Sequence, residues 1–179
     1  MKKSNVFILC LVLFLSACAT KIKSIPNNEL TNQSIDEIKH DITEKHPVNY
    51  IVLAAKLFND GKLDDAVKWY YVGQIRFRAH LMANPDIEPS GEPALYSSLQ
   101  NIVGTPINEY AGQDPNHWVV LVEKAIKWNA ENPDGFTPKS SNKKIHAEVE
   151  ANFIEFRDYV SSNKEKIRKQ RTENGLKNS

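Results

Sequence analysis

Residues 63–82 limit the folds open to this chain more than any other stretch. On a helix of 3.6 residues per turn, Leu63, Ala66, Tyr70, Phe77 and Leu81 form a main apolar stripe. Trp69, Val72, Ile75 and Ala79 fall near the face that solvent would normally take. A helix that is apolar on nearly every side has to be enclosed by other elements. The residues before it, from Tyr50, read as a second helix running to about Asn59, with Gly61 as its left-handed cap. Asp64 and Asp65 then occupy the first turn of the long helix, where negative charge is favoured. The expected fold is therefore all-α, a compact domain of about six or seven helices built around a buried helical hairpin.

The remaining helices follow from caps and breakers. Ser34-Ile35-Asp36-Glu37 has the spacing of a capping box, which predicts a short helix ending at His46, before Pro47. Pro47 suits the first turn of the next helix. Three prolines and a glycine between Asn84 and Pro93 impose a loop. Residues 94–103 read as a helix with Leu95, Leu99 and Ile102 on one side and Gly104 as its stop. Thr105-Pro106 and Asp114-Pro115 each read as a cap followed by the first helical residue. The first opens a short turn through Tyr110. The second opens a helix to about Asn132 that buries Trp118, Leu121, Val122, Ala125 and Ile126. A turn at Asn132-Pro133-Asp134-Gly135 and an extended connector lead to a last helix from about Asn142, striped by Ile145, Val149, Phe153, Phe156 and Val160. No segment alternates with period two in β-branched residues, so no substantial sheet is expected.

In the hairpin, Tyr50, Leu53, Ala54 and Leu57 take aromatic, leucine, small and large positions, Gly61 takes the turn, and Ala66, Tyr70 and Gly73 repeat the small, aromatic, small order. This pattern resembles one tetratricopeptide or Sel1-type repeat over about 30 residues. Arg78 stands where such a repeat closes on proline, and no second copy follows at the same period. The resemblance implies a surface for binding proteins and says nothing of the partner.

The N-terminus carries an address. Lys2 and Lys3 precede an apolar run of ten residues, 6–15, too short to span a bilayer core of about 30 Å. The run ends in Leu15-Ser16-Ala17-Cys18, which resembles the lipobox of bacterial lipoproteins. That resemblance implies removal of residues 1–17, acylation of Cys18, and an envelope protein held by lipid without spanning the bilayer. Ala19 after the cysteine fits an outer-membrane address facing the periplasm. Residues 18–33 are expected to be a lipidated tether, 34–163 the helical domain, and 164–179 a basic, frayed tail.

Cysteine usage agrees with that address. Cys10 leaves with the leader and Cys18 is consumed by lipid, so no thiol remains for a disulfide, a metal or a nucleophile. The tail holds six basic and two acidic residues, against 15 basic and 20 acidic in the body from Cys18 to Asn163. Neither part has the dense basic face that nucleic-acid binding needs.

The sequence carries few marks of catalytic chemistry. There is no Gly-rich phosphate loop, no His-Glu-x-x-His and no Gly-x-Ser-x-Gly. His40, His46, His80, His117 and His146 are scattered, with none paired at metal-ligand spacing, so neither metal nor cofactor is expected. His80, near a helix end, complements the helix dipole.

The most unusual polar set is Gln74, Arg76 and Arg78, with Tyr71 on the flank shared by Gln74 and Arg78. An arginine beside a core stripe needs a partner. Two readings stand: an internal network pairing Arg76 or Arg78 with an acid such as Glu109, or a recognition patch of the kind that Arg and Tyr supply at interfaces. Asn108, Glu109 and Tyr110 form a second candidate surface. The expected function is a non-catalytic module that binds another periplasmic or envelope protein. An immunity or inhibitor lipoprotein guarding against a periplasmic toxin, or an enzyme acting on the cell wall, are the alternatives.

Overall fold

The computed structural model describes residues 21–22 and 32–179. The expected leader, Cys18 and most of the expected tether lie outside the described residues. The described residues are all-helical, with no strand among them.

The hairpin forms as its sequence requires. Helix α2 (Val48–Asn59) turns at Gly61, whose φ of 77° only glycine adopts cheaply, into α3 (Leu63–Ala83). Lys62 N–H closes the turn onto Leu57 O at 2.9 Å. The two arms touch where a Cβ on Gly73 would lie 2.8 Å from Ile51 Cγ1. Tyr50, Leu53, Leu57, Tyr70, Val72, Ile75 and Phe77 are buried, and so is Trp69 on the nominal outer face of α3. α3 is enclosed because it packs against α2 and against four later helices, Glu92–Leu99, Thr105–Ala111, Pro115–Glu131 and Lys143–Ser162.

Helix α1 (Ile35–Lys39) opens with the expected capping box: Glu37 N–H donates to Ser34 Oγ at 3.2 Å, and Ser34 N–H to Glu37 Oε2 at 2.6 Å. It stops at Lys39 rather than His46, and a 3-10 turn (Ile42–Glu44) fills the gap. Tyr50 OH secures that turn by donating to Ile42 O at 2.7 Å. Ile22 is buried, and its N–H donates to Asn59 Oδ1 at 2.9 Å. The segment expected to be a free tether therefore touches the domain at the end of α2.

Gly104 does not stop a helix. α4 (Glu92–Leu99), a π-helical turn (Gln100–Gly104) and α5 (Thr105–Ala111) run on without a break. Thr105 is itself helical, so Thr105-Pro106 is no cap. Pro106 lacks an N–H and its ring crowds the carbonyl four residues back, and the wider π turn just before it accommodates this. Glycine is required at 104 by packing: a Cβ there would lie 2.7 Å from Tyr70 Cζ and closer still to its hydroxyl.

Helix α6 (Pro115–Glu131) is capped by Asp114, whose carboxylate accepts from Asn116 N–H at 2.9 Å. α7 (Lys143–Ser162) packs against α3 and α6 through Val149 and Phe153. The tail is not frayed as expected. Lys164–Glu173 forms α8, in contact with α6 and α7. Ser179 N–H donates to Gln113 O at 3.0 Å, and Arg168 Nη2 lies 3.7 Å from Asp114 Oδ1. Arg168 is thus turned inward onto the α5–α6 junction, and Arg171 lies against Gly112 there while its Nη2 donates to Lys177 O at 2.8 Å. Among the described residues no helix is long and apolar enough to cross a membrane.

Candidate functional site

Tyr71, Gln74 and Arg78 lie at i, i+3 and i+7 on α3, which places them on one flank. That flank meets Asn108 of α5, Trp118 of α6, and Asn152, Phe153 and Phe156 of α7 around a cavity of about 220 Å³. Tyr71 is its keystone. Its hydroxyl donates to Asn108 Oδ1 at 2.9 Å and accepts from Trp118 Nε1–H at 2.9 Å. Its ring stacks on Phe156 at 5.7 Å, and Trp118 meets Phe156 edge-on at 5.6 Å. Burial drives the Tyr71 phenol far above its ordinary pKa, although the Trp118 bond pulls the other way. At neutral pH the hydroxyl is a fixed donor, not a base.

Arg78 stands at the rim. Its side chain is exposed, with the guanidinium carbon 5.1 Å from the Phe153 ring centre. Nε donates to Tyr96 OH at 3.1 Å, and Tyr96 OH donates onward to buried Gln74 Oε1 at 3.4 Å. Among the described residues no carboxylate lies within ion-pairing distance of Arg78. The arrangement is an aromatic-walled recess with amide dipoles inside and an unpaired cation at its mouth. It suits a flat or apolar group that carries a negative charge.

Arg76 is elsewhere. It points to the opposite side of α3 and is 1% exposed. Nη1 donates to Tyr50 OH at 2.5 Å, Nη2 to Pro133 O at 2.6 Å and Nε to Asn129 Oδ1 at 3.3 Å. Its acid is Asp134, 3.9 Å away and equally buried, not Glu109. Of the two arginines, Arg76 belongs to an internal network, while Arg78 keeps an exposed guanidinium bonded to Tyr96 and without a carboxylate partner.

Glu109 and Tyr110 leave the Tyr71 pocket as well. They line a separate recess of about 310 Å³ beside Lys21, Phe58 and Pro106. Tyr110 OH donates to Asp64 Oδ1 at 2.8 Å, and His117 Nε2 sits 2.8 Å from Asp64 Oδ2. Burial pushes the Asp64 carboxyl up, but the bonds from Tyr110 and His117 outweigh it and hold the pKa below its ordinary value. Burial and the Asp64 carboxylate raise the Tyr110 phenol to about 12.

Sequence reasoning placed Trp118, Phe153 and Phe156 in the core stripes and passed over Asn152. One signal pointed to them: Asn152 shares one side of α7 with two aromatics, Phe153 and Phe156. A second grouping was hidden by sequence distance. His46, before α2, His80, in the last turn of α3, and Glu92, the first residue of α4, converge. One ring nitrogen from each histidine and a carboxylate oxygen all lie within 4.8 Å of one another. His80 therefore does more than sit near a helix end. Burial lowers the His46 pKa, partly offset by its bond to Glu92.

Compared with known proteins, the chain matches no protein family, no curated sequence and no solved structure.

Proposed function

We propose that this chain is a lipid-anchored protein of the bacterial cell envelope that binds another envelope or periplasmic protein and catalyses no reaction itself. Cys18 is its anchor, as the lipobox resemblance implies. The Arg78 pocket is its recognition site. The observation that carries this reading is the exposed guanidinium of Arg78, without a carboxylate partner, above a recess walled by Tyr71, Trp118, Phe153 and Phe156. Buried Arg76, by contrast, is matched by Asp134 at 3.9 Å, and half-buried Arg157 by Glu123 at 2.5 Å. A surface cation held over aromatic rings is the usual form of a binding anchor. The expected counterpart is an acidic or carboxylate-bearing side chain with apolar atoms behind it.

The test is site-specific photo-crosslinking in cells. A photoreactive residue at position 152, on the pocket rim, should capture one discrete partner. The same residue at exposed position 127, on α6, should not. Arg78→Glu should remove the capture without loss of protein. Equal capture at both positions, or capture indifferent to Arg78→Glu, would sink the proposal.

A further inference from the structure

We propose that His46, His80 and Glu92 form a binding site for a divalent transition-metal ion, with zinc the best chemical match. The three side chains come from three separate elements, and each points its ligand atom at one spot. Glu92 Oε2 lies 3.1 Å from His46 Nε2 and 2.7 Å from His80 Nε2. Nitrogen–oxygen separations near 3 Å are those of ligands about 2 Å from a common ion.

A second observation points the same way. His80 is 8% exposed, and its Nε2 is fully buried without a hydrogen bond. Glu92 Oε2 is close enough to be a partner, yet the approach does not have hydrogen-bond geometry. A buried imidazole nitrogen aimed at a carboxylate but not bonded to it is placed as two ligands are placed around an ion. His80 Nδ1 accepts from Asn84 Nδ2 at 3.1 Å, so loading the site must move the His80 proton from Nε2 to Nδ1, where Thr137 Oγ1, 3.4 Å away, can accept it. Two imidazoles and one carboxylate select zinc or its neighbours over calcium and magnesium, which take oxygen ligands. A fourth position remains for water. Phe77 and Phe136 cover the rings, with Phe136 centred 4.7 Å from His46 and 5.0 Å from His80. Such an apolar collar raises the strength of every bond inside it.

His46 shows what loading the site must change. Its Nδ1 accepts the Val48 N–H at 3.0 Å, so the neutral ring carries its proton on Nε2 and donates it to Glu92. An ion on Nε2 requires that lone pair, so the proton moves to Nδ1 and the Val48 N–H gives up its bond. Binding therefore leaves a mark at the first residue of α2, as well as tying the start of α4 to the end of α3.

The experiment uses the full chain in detergent, without a histidine tag and stripped of metal with a chelator. Zinc is added by equilibrium dialysis. One ion per chain should bind, and calcium or magnesium should not compete. His46→Gln and Glu92→Gln should each weaken binding by about tenfold or more. His117→Gln, at the other His–carboxylate pair, should leave it unchanged. The Val48 amide resonance should shift on saturation with zinc in the unaltered chain. Cobalt added in place of zinc should develop the visible absorption of a tetrahedral site. Glu92 is one-third exposed and its glutamine isosteric, so this variant decides the matter if His46→Gln fails to fold. The proposal is overturned by any of three results: no saturable binding, binding unchanged in Glu92→Gln, or a Val48 amide that does not move.

Discussion

Arg76→Met should be among the most damaging single substitutions in this protein, and the cost can be worked from its surroundings. The substitution keeps most of the aliphatic stem but removes three hydrogen bonds, to Tyr50, Pro133 and Asn129. It also strands Asp134, which is 1% exposed in its side chain. Asp134 Oδ1 keeps its bond from Thr137 N–H at 3.0 Å, but Oδ2 is buried with no hydrogen bond at all. Removing one member of a buried charge pair costs about 3–5 kcal/mol, chiefly because the other charge is left uncompensated. For a chain of this size that corresponds to a fall in Tm of roughly 10 °C. Adding Asp134→Asn removes the stranded charge while keeping the acceptor for Thr137, so the double variant should recover about 2 kcal/mol of the loss. Urea unfolding followed by far-UV circular dichroism measures all three proteins, with an unchanged m-value as the control for two-state behaviour. If Arg76→Met costs less than about 1 kcal/mol, or if the two substitutions simply add, Arg76 and Asp134 are not coupled and the buried-pair account is wrong.

Other consequences can be checked separately. Gly104→Ala should cost about 1–3 kcal/mol by overpacking against Tyr70, and Tyr70→Phe should relieve part of that cost; thermal melts that show no loss would remove the packing role of Gly104. Asp64 has its pKa depressed in the folded state, so its contribution is present above its ordinary value of 3.8 and lost as pH falls through the lower folded value. Stability measured against pH should therefore fall less steeply on the acid side in Asp64→Asn than in the unaltered chain. Cys18→Ala should abolish labelling by a fatty-acid analogue and leave the protein released or unprocessed, whereas retained label would end the lipid assignment. Truncation after Asn163 should speed amide exchange at the α5–α6 junction, where α8 and Ser179 now sit, and unchanged exchange there would show that the tail holds nothing.

Features set by neighbours in sequence were legible, and features set by neighbours in space were not. The Ser34 box, the Gly61 turn and the Asp114 cap are each decided within a few residues, and each stands where the sequence places it. Tyr71, Gln74 and Arg78 could be grouped because helical spacing alone puts them on one flank. The walls facing them, Trp118 and Phe156, belong to helices whose docking no local pattern encodes. Arg76 and Asp134 are likewise partners across 58 positions, and no local pattern singles out Asp134 over an acid such as Glu109. Gly104 misled for a different reason. Glycine before Thr-Pro carries the signature of a helix end, but here its missing Cβ serves the Tyr70 hydroxyl while the π turn absorbs the proline. The basic tail looked solvated because charge composition ignores direction: Arg168 and Arg171 face the domain, whereas Lys166 and Lys169 face water.

The small contact between Ile22 and Asn59 fixes where the proposed lipid anchor would meet the domain, beside the hairpin turn. With Cys18 acylated as proposed, four residue steps separate the lipid from the point where the chain meets the domain, a span of at most about 14 Å. The hairpin turn would then be held within that reach of the lipid. Measured along α3, Arg78 lies fifteen residues above Leu63, or about 22 Å at 1.5 Å per residue. With α3 upright on that anchor, a partner engaging the Arg78 pocket would meet it about 22 Å beyond Leu63, and the recess around Phe58 and Tyr110 would lie nearer the lipid.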